Sequence, residues 1–191
     1  MGGMIGQLVA ALYPERVLSL TSIMSTTGAR HLPQPSIRIR RELLRRPRPP
    51  LTSDKLIAHY EHLFAVIGSP AYPTPPEEFR ARIRRAVERG YHPAGFLRQL
   101  GAILSNGDRS PLLGRISCPT LVIHGKADPL VPYQGGVDTA YRIRDARLLL
   151  LDGFGHDFPA QLFGRFVDTI ATHAREAAPP TAPREDASAA A

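Results

Sequence analysis

Two short apolar runs, each spilling into a polar loop, constrain this chain more than any other feature. Thr120-Leu121-Val122-Ile123, introduced by Pro119, leads into His124-Gly125-Lys126-Ala127-Asp128-Pro129. Ala146 to Leu151, apolar without a break from Leu148 onward, leads into Asp152-Gly153-Phe154-Gly155-His156-Asp157. Runs this short suit strands, and an uninterrupted apolar run suits a strand covered on both faces of a parallel sheet. A helix is expected between them, over Gly136 to Ile143. Strand, helix and strand in that order predict parallel pairing, with both strand ends on the same edge. In open α/β sheets functional groups collect just beyond those carboxyl ends. An acid after one strand and a histidine after the next are therefore placed to meet.

Upstream the periodicity changes. Met1, Met4, Ile5, Leu8, Val9 and Leu12 recur at helical spacing and predict one buried face on an opening helix. Gly2, Gly3 and Gly6 lower helix propensity and are expected where that helix runs close against a strand. Tyr13-Pro14 ends the helix, and Val17 to Met24 reads as a strand ending in Ser25-Thr26-Thr27-Gly28. From Ala29 to Asn106 the pattern is helical. Its first stretch, rich in proline and arginine, is expected to be irregular. Three helices come after it. One is capped by Ser53 or Asp54 and carries Leu56, Ile57, Tyr60, Leu63, Phe64 and Ile67. One opens at Pro75-Pro76-Glu77-Glu78 and closes at Gly90. One opens at Pro93, carries Phe96, Leu97 and Leu100, and closes at Gly107. A last helix carries Leu162, Phe163, Phe166, Val167 and Ile170. The expected organisation is a core segment 1–28, a helical insertion 29–107, a second core segment 108–175 and a tail 176–191. The tail has too few large apolar residues to fold and is expected to be disordered.

Composition narrows the function classes. The chain has 191 residues, 43% of them hydrophobic, enough for one packed domain. The net charge of +7 comes mostly from arginine. One cluster, Arg38 to Arg48, has no aromatic residues to stack on bases; the other, Arg80 to Arg89, is interleaved with Glu77, Glu78 and Glu88. A basic surface is the expected reading, and nucleic-acid binding is not expected. No apolar run reaches the roughly 18 residues that would span a membrane, and no secretory signal is recognisable. The single cysteine, Cys118, cannot form an internal disulfide, so a cytoplasmic location is expected. His59 and His62 lack an evident third ligand, and neither a metal nor another cofactor is expected.

Taken singly, Asp128 before Pro129 reads as a turn residue, His156 as a loop histidine and Asp157 as a capping or solvent residue. Taken jointly, these residues resemble the α/β-hydrolase family, especially esterase-like serine hydrolases with a helical lid. The resemblance lies in Thr120 to Gly125 with Asp128 just beyond, in Gly135-Gly136 with Thr139-Ala140, and in Gly153-Phe154-Gly155-His156-Asp157-Phe158-Pro159. It lies also in Met1-Gly2-Gly3-Met4-Ile5-Gly6-Gln7, which is similar to the segment just after the nucleophile in a Gly-x-Ser-x-Gly elbow.

The resemblance implies an α/β class, a partial α/β-hydrolase fold with a mostly parallel sheet flanked by helices and an all-helical lid. It implies His156 as general base, Asp128 as the acid that orients it, and Met1 at the position whose backbone N–H donates to the oxyanion. Ser25 and Thr26 at a strand end, with Phe64 and Phe96 on the lid, are expected to line the pocket. The nucleophile would precede Met1, so the expectation is a truncated chain, inactive as it stands. Serine is implied there; dehalogenases and epoxide hydrolases of the same family place an aspartate. The implied partner is a small acyl substrate, once the chain is completed upstream. The alternative is a non-catalytic remnant that binds an anionic partner through its arginines or self-associates through an open sheet edge.

Overall fold

Three strands, β1 (Leu20–Ile23), β2 (Thr120–Gly125) and β3 (Arg147–Leu151), form one parallel sheet in the order β1-β2-β3. They belong to a computed structural model that describes residues 1–47 and 49–177. Leu20 to Ile23 pair with Thr120 to Ile123, and Leu121 to Gly125 pair with Arg147 to Leu151. β2 is buried at every position because it has a strand on each side and helices over both faces. The core falls into two clusters. Leu121 and Ile123 pack with Leu151, Phe154, Leu162 and Phe166. A second cluster joins Ala10, Ala11, Leu20, Leu113, Ile116 and Ile143. Ile123 is fully buried, and a side chain of that size contributes about 1.5–3 kcal/mol by leaving water.

The opening helix α1 (Gly2–Leu12) forms as its spacing predicts, but the buried face differs. Gln7, Ala10 and Ala11 are buried, whereas Met1, Ile5, Val9 and Leu12 are exposed. The reason is close approach. A Cβ on Gly3 would lie 2.6 Å from Ser25 Cβ, and one on Gly6 would lie 3.1 Å from Leu20 Cδ1. Only the small-residue face fits that tightly against β1, so the larger apolar stripe points away.

β3 also departs from the reading of a strand covered on both faces. Among the described residues it is an edge strand, with Arg147 and Leu148 exposed and only Leu151 buried. Its apolar run reflects burial at one end rather than along its length.

Between β1 and β2 lie α2 (Ile37–Leu44), α3 (Ser53–Ile67), α4 (Pro76–Arg89), α5 (Pro93–Asn106) and the short α6 (Ser110–Leu113). The first of these replaces the irregular stretch expected from composition. Ser36 nucleates it, its hydroxyl accepting from the Ile39 N–H at 3.3 Å. Thr52, rather than Ser53 or Asp54, caps α3 through a bond from the Lys55 N–H. Gly90 and Gly107 end α4 and α5 at φ +151° and +65°, where an L side chain would be strained. The crossover helix α7 (Gln134–Arg142) joins β2 to β3, and α8 (Phe163–Ala177) closes the core. Residues 176 and 177, expected in the tail, instead continue α8; residues 178–191 lie outside those described.

Candidate active site

β2 and β3 end side by side, so the loops beyond them emerge at one edge of the sheet. Two backbone bonds lock the two loops together, Lys126 N–H to Leu151 O at 2.9 Å and Ala127 N–H to Phe154 O at 3.0 Å, and a third, Asp128 N–H to Gly125 O at 3.2 Å, turns the first loop on itself. Gly125 permits this, since a Cβ there would lie 2.0 Å from the Phe154 carbonyl oxygen.

The loops bring Asp128 and His156 into contact. His156 Nδ1 lies 2.7 Å from Asp128 Oδ2. The Asp128 side chain is wholly buried, and 26% of the His156 side chain is exposed. Asp128 Oδ1 accepts from the Leu130 and Val131 amides at 2.9 and 2.8 Å. The turn role and the acid role of Asp128 are thus compatible: one oxygen shapes the loop, the other holds the imidazole. Burial pushes the Asp128 carboxyl upward. Hydrogen bonding from His124 and His156, the charge of His156 and the Val131 amide outweigh that effect and hold it below the ordinary carboxylate value. An ionised Asp128 holds the proton of a neutral His156 on Nδ1, leaving Nε2 as the basic lone pair. A nitrogen so presented can take a proton from a hydroxyl and return it to a leaving group.

The lid end of α3 clasps the histidine loop. The His156 N–H donates to Ile67 O at 2.7 Å, and the Ala71 N–H donates to Gly153 O at 3.2 Å. The Ser69 hydroxyl accepts from the Gly155 N–H at 2.9 Å and donates to the Asp157 carboxylate. Gly155 is required here, since a Cβ would lie 2.2 Å from Gly68 O. Asp157, read from sequence as a cap or solvent residue, is one side of this latch. Nothing in the sequence around Ser69 signals its role, because its partners are 86 and 88 positions away.

A cavity of about 510 Å³ opens beside the loops, lined by Phe64, Ser69, Tyr72, Phe79, Pro129 and Asp157 among others. Phe64 therefore sits on it. Phe96 lines a different cavity, between α3 and α5. Ser25 is buried against Gly3, and its hydroxyl has no partner among the described residues. Thr26 packs on Gly135, with its hydroxyl accepting from the Gly28 N–H. Neither of these two is among the residues lining the cavity beside Phe64. Met1 is the N-cap of α1, partly exposed. The contact of Gly3 with Ser25 puts this helix start at the same end of the sheet as Asp128 and His156.

Two further polar residues escaped sequence reasoning because their partners are remote. Arg109 is buried, and its guanidinium donates to Gln7 Oε1, Asn106 Oδ1, Gly107 O and Thr26 O. It ties the end of α5 to α1 and to the loop after β1. His173 on α8 is buried between Leu20 O and Arg147. His62 pairs with Glu42 at 2.8 Å, and no group of three metal-ligating side chains occurs among the described residues. Among them, no helix is long and apolar enough to cross a membrane.

An acid and a histidine thus meet beyond neighbouring strand ends of a parallel sheet, beside a helical insertion. The model of the alpha/beta hydrolase fold family matches residues 1–160, and the chain belongs to that family. It is 25% identical over 195 residues to a rhodomycin D methylesterase of Streptomyces peucetius, covering 93% of this chain and 65% of that protein. It is 28% identical over 181 residues to a 2-hydroxy-6-oxononadienedioate/2-hydroxy-6-oxononatrienedioate hydrolase of Dechloromonas aromatica, covering 91% of this chain and 60% of that one. The crystal structure of the enol-lactonase from Burkholderia xenovorans LB400 superposes with a TM-score of 0.66 at 20% identity, over 91% of this chain and 62% of that chain. The chain thus spans less than two thirds of the length of these relatives.

Proposed function

We propose that this polypeptide is the acid–histidine part of an esterase-like serine hydrolase acting on a carboxylic ester or a related acyl substrate. The observation that carries the reading is the 2.7 Å bond from His156 Nδ1 to the fully buried Asp128 carboxylate. In the reaction His156 Nε2 removes the proton from a serine hydroxyl as its oxygen attacks the acyl carbon. The imidazolium, stabilised by Asp128, then protonates the leaving alkoxide, and the acyl group is released by water through the same steps in reverse order. The serine is read as preceding position 1, and Met1 as the residue whose backbone N–H faces the oxyanion. On this reading the 191 residues alone have no turnover, and the compartment is the cytoplasm.

The test compares p-nitrophenyl butyrate hydrolysis by the 191-residue chain and by a form extended upstream through a Gly-x-Ser segment. The extended form is expected to turn over, and His156→Ala to lower that rate by at least about 10³-fold. Turnover by the shorter chain, abolished by His156→Ala, would overturn the placement of the nucleophile. An extended form indifferent to His156→Ala would overturn the catalytic assignment itself.

One observation favours self-association as a second reading for the chain on its own. Ile5, Leu12, Tyr13 and Leu18 are exposed around α1 and β1, an edge strand among the described residues, and apolar surface of that kind beside a strand edge invites a partner. Sedimentation velocity should find oligomers; a monodisperse monomer would rule this out.

A further inference from the structure

The lid holds a second cavity system, separate from the His156–Asp128 pair. Its apolar part, about 340 Å³, lies among α2, α3 and α5 and is walled by Tyr60, Leu63, Tyr91, Phe96 and Leu97 among others. An adjoining space of about 510 Å³ is lined by Arg45, Arg46, Lys55, His59 and His62. The two share Arg45, Arg46, Pro47 and His59, so the apolar chamber opens onto a basic rim. His59 is eight residues from Ile67 along α3, roughly 12 Å at the helical rise, and Ile67 is where the lid grips the histidine loop.

Two features show that the described residues leave the chamber open and its charge unmatched. No residue of α5 is buried, and Phe96 and Leu97 remain 40% and 44% exposed. The basic rim is likewise under-compensated. Glu42 is committed to His62 and Arg45, and no ion pair involves Arg46 or Lys55 among the described residues. His59 is held below its ordinary value, first by burial and then by Arg45 and His62, while Arg45, Arg46 and Lys55 supply fixed positive charge to the rim. Apolar walls and a cationic mouth match one chemistry: a hydrophobic tail or ring carrying a terminal anion.

We propose that this lid chamber binds an amphipathic carboxylate, its apolar body between Tyr60, Leu63 and Phe96 and its carboxylate at Arg46 and Lys55. The inference is independent of turnover at His156, since it needs neither a nucleophile nor Asp128.

Isothermal titration of the 191-residue chain with decanoate, decanol and decyltrimethylammonium, each below its micellar concentration, tests it. Decanoate is expected to bind at one site, at least about tenfold more tightly than either of the others. The double variant Arg46→Glu/Lys55→Glu should weaken decanoate by about five- to tenfold, the range for two exposed charge contacts, while leaving decanol unchanged. Leu63→Trp, which fills the chamber, should weaken both. Circular dichroism checks that each variant keeps its fold, and the smaller filling replacement Leu63→Phe is used if the tryptophan does not. No decanoate binding, equal binding of all three amphiphiles, or an unchanged affinity in the charge-reversed variant would each overturn the proposal.

Discussion

Replacing Asp128 with asparagine separates the two tasks of its carboxylate. An asparagine oxygen in place of Oδ1 keeps both amide bonds, from Leu130 at 2.9 Å and Val131 at 2.8 Å, so the loop should hold its shape. The amide nitrogen then faces His156 Nδ1, where Oδ2 had accepted at 2.7 Å. A donor meeting a donor forces the ring into the other tautomer, with its proton on Nε2. The ring then accepts from the amide, so what is lost is the charge of the acceptor, about 1–1.5 kcal/mol as the difference between a charged and a neutral hydrogen bond. The full figure applies, because the Asp128 side chain has no exposed surface to screen it. For a chain of this size that loss corresponds to about 2–6 °C in melting temperature. Nitrogen-15 spectra of the His156 ring report the tautomer directly, and a thermal melt reports the stability. Wild-type rings should carry the proton on Nδ1, and Asp128→Asn rings on Nε2. A variant with an unchanged melt and unchanged ring nitrogens would show that the contact orients nothing.

Three other outcomes are expected from the same geometry. Ser69→Ala leaves the buried Gly155 N–H without an acceptor and Asp157 without a donor, which should cost about 2–4 kcal/mol in urea unfolding, whereas Ser69→Thr, keeping the hydroxyl, should recover most of it. Gly136→Ala sets a Cβ 2.4 Å from His124 Nδ1 and 3.0 Å from its Cβ; overpacking of this kind costs about 1–3 kcal/mol, and a melt unchanged from wild type would contradict the close seating of α7 on β2. Asp128 is held below its ordinary value, so its contribution to stability is complete above the unfolded carboxylate value of about 3.9. It is lost as the pH falls below that value and through the folded one, and a urea series from pH 5 downward should show a shallower acid slope for Asp128→Asn than for wild type.

Much of the fold was legible in the sequence because local signals and tertiary demands coincide there. Proline and glycine bracket α4 and α5, and the apolar run Leu121 to Ile123 of β2 matches a central strand buried at every position. Asp128 and His156 were legible for a related reason. Parallel strands carry the loops beyond them to one edge, so two loops distant in sequence become neighbours. The misreadings share a different cause. The stripe Met1, Ile5, Val9, Leu12 has the period of a buried face, yet the glycine and alanine face is the one seated on β1. Periodicity locates a face; only the neighbour's shape decides which face it accepts.

The order of residues along the chain therefore settled local and topological matters: the strand–helix alternation, the ends of α4 and α5 and the edge at which the acid and the histidine emerge. Which polar side chains tie the site loop and the rest of the fold together was settled only in three dimensions. Ser69 reaches Gly155 and Asp157, Arg109 reaches Gln7 and Thr26, and His173 reaches Leu20. These partners are remote in sequence, and hydrogen bonds between them depend on distances of a few tenths of an ångström, which no spacing along the chain encodes.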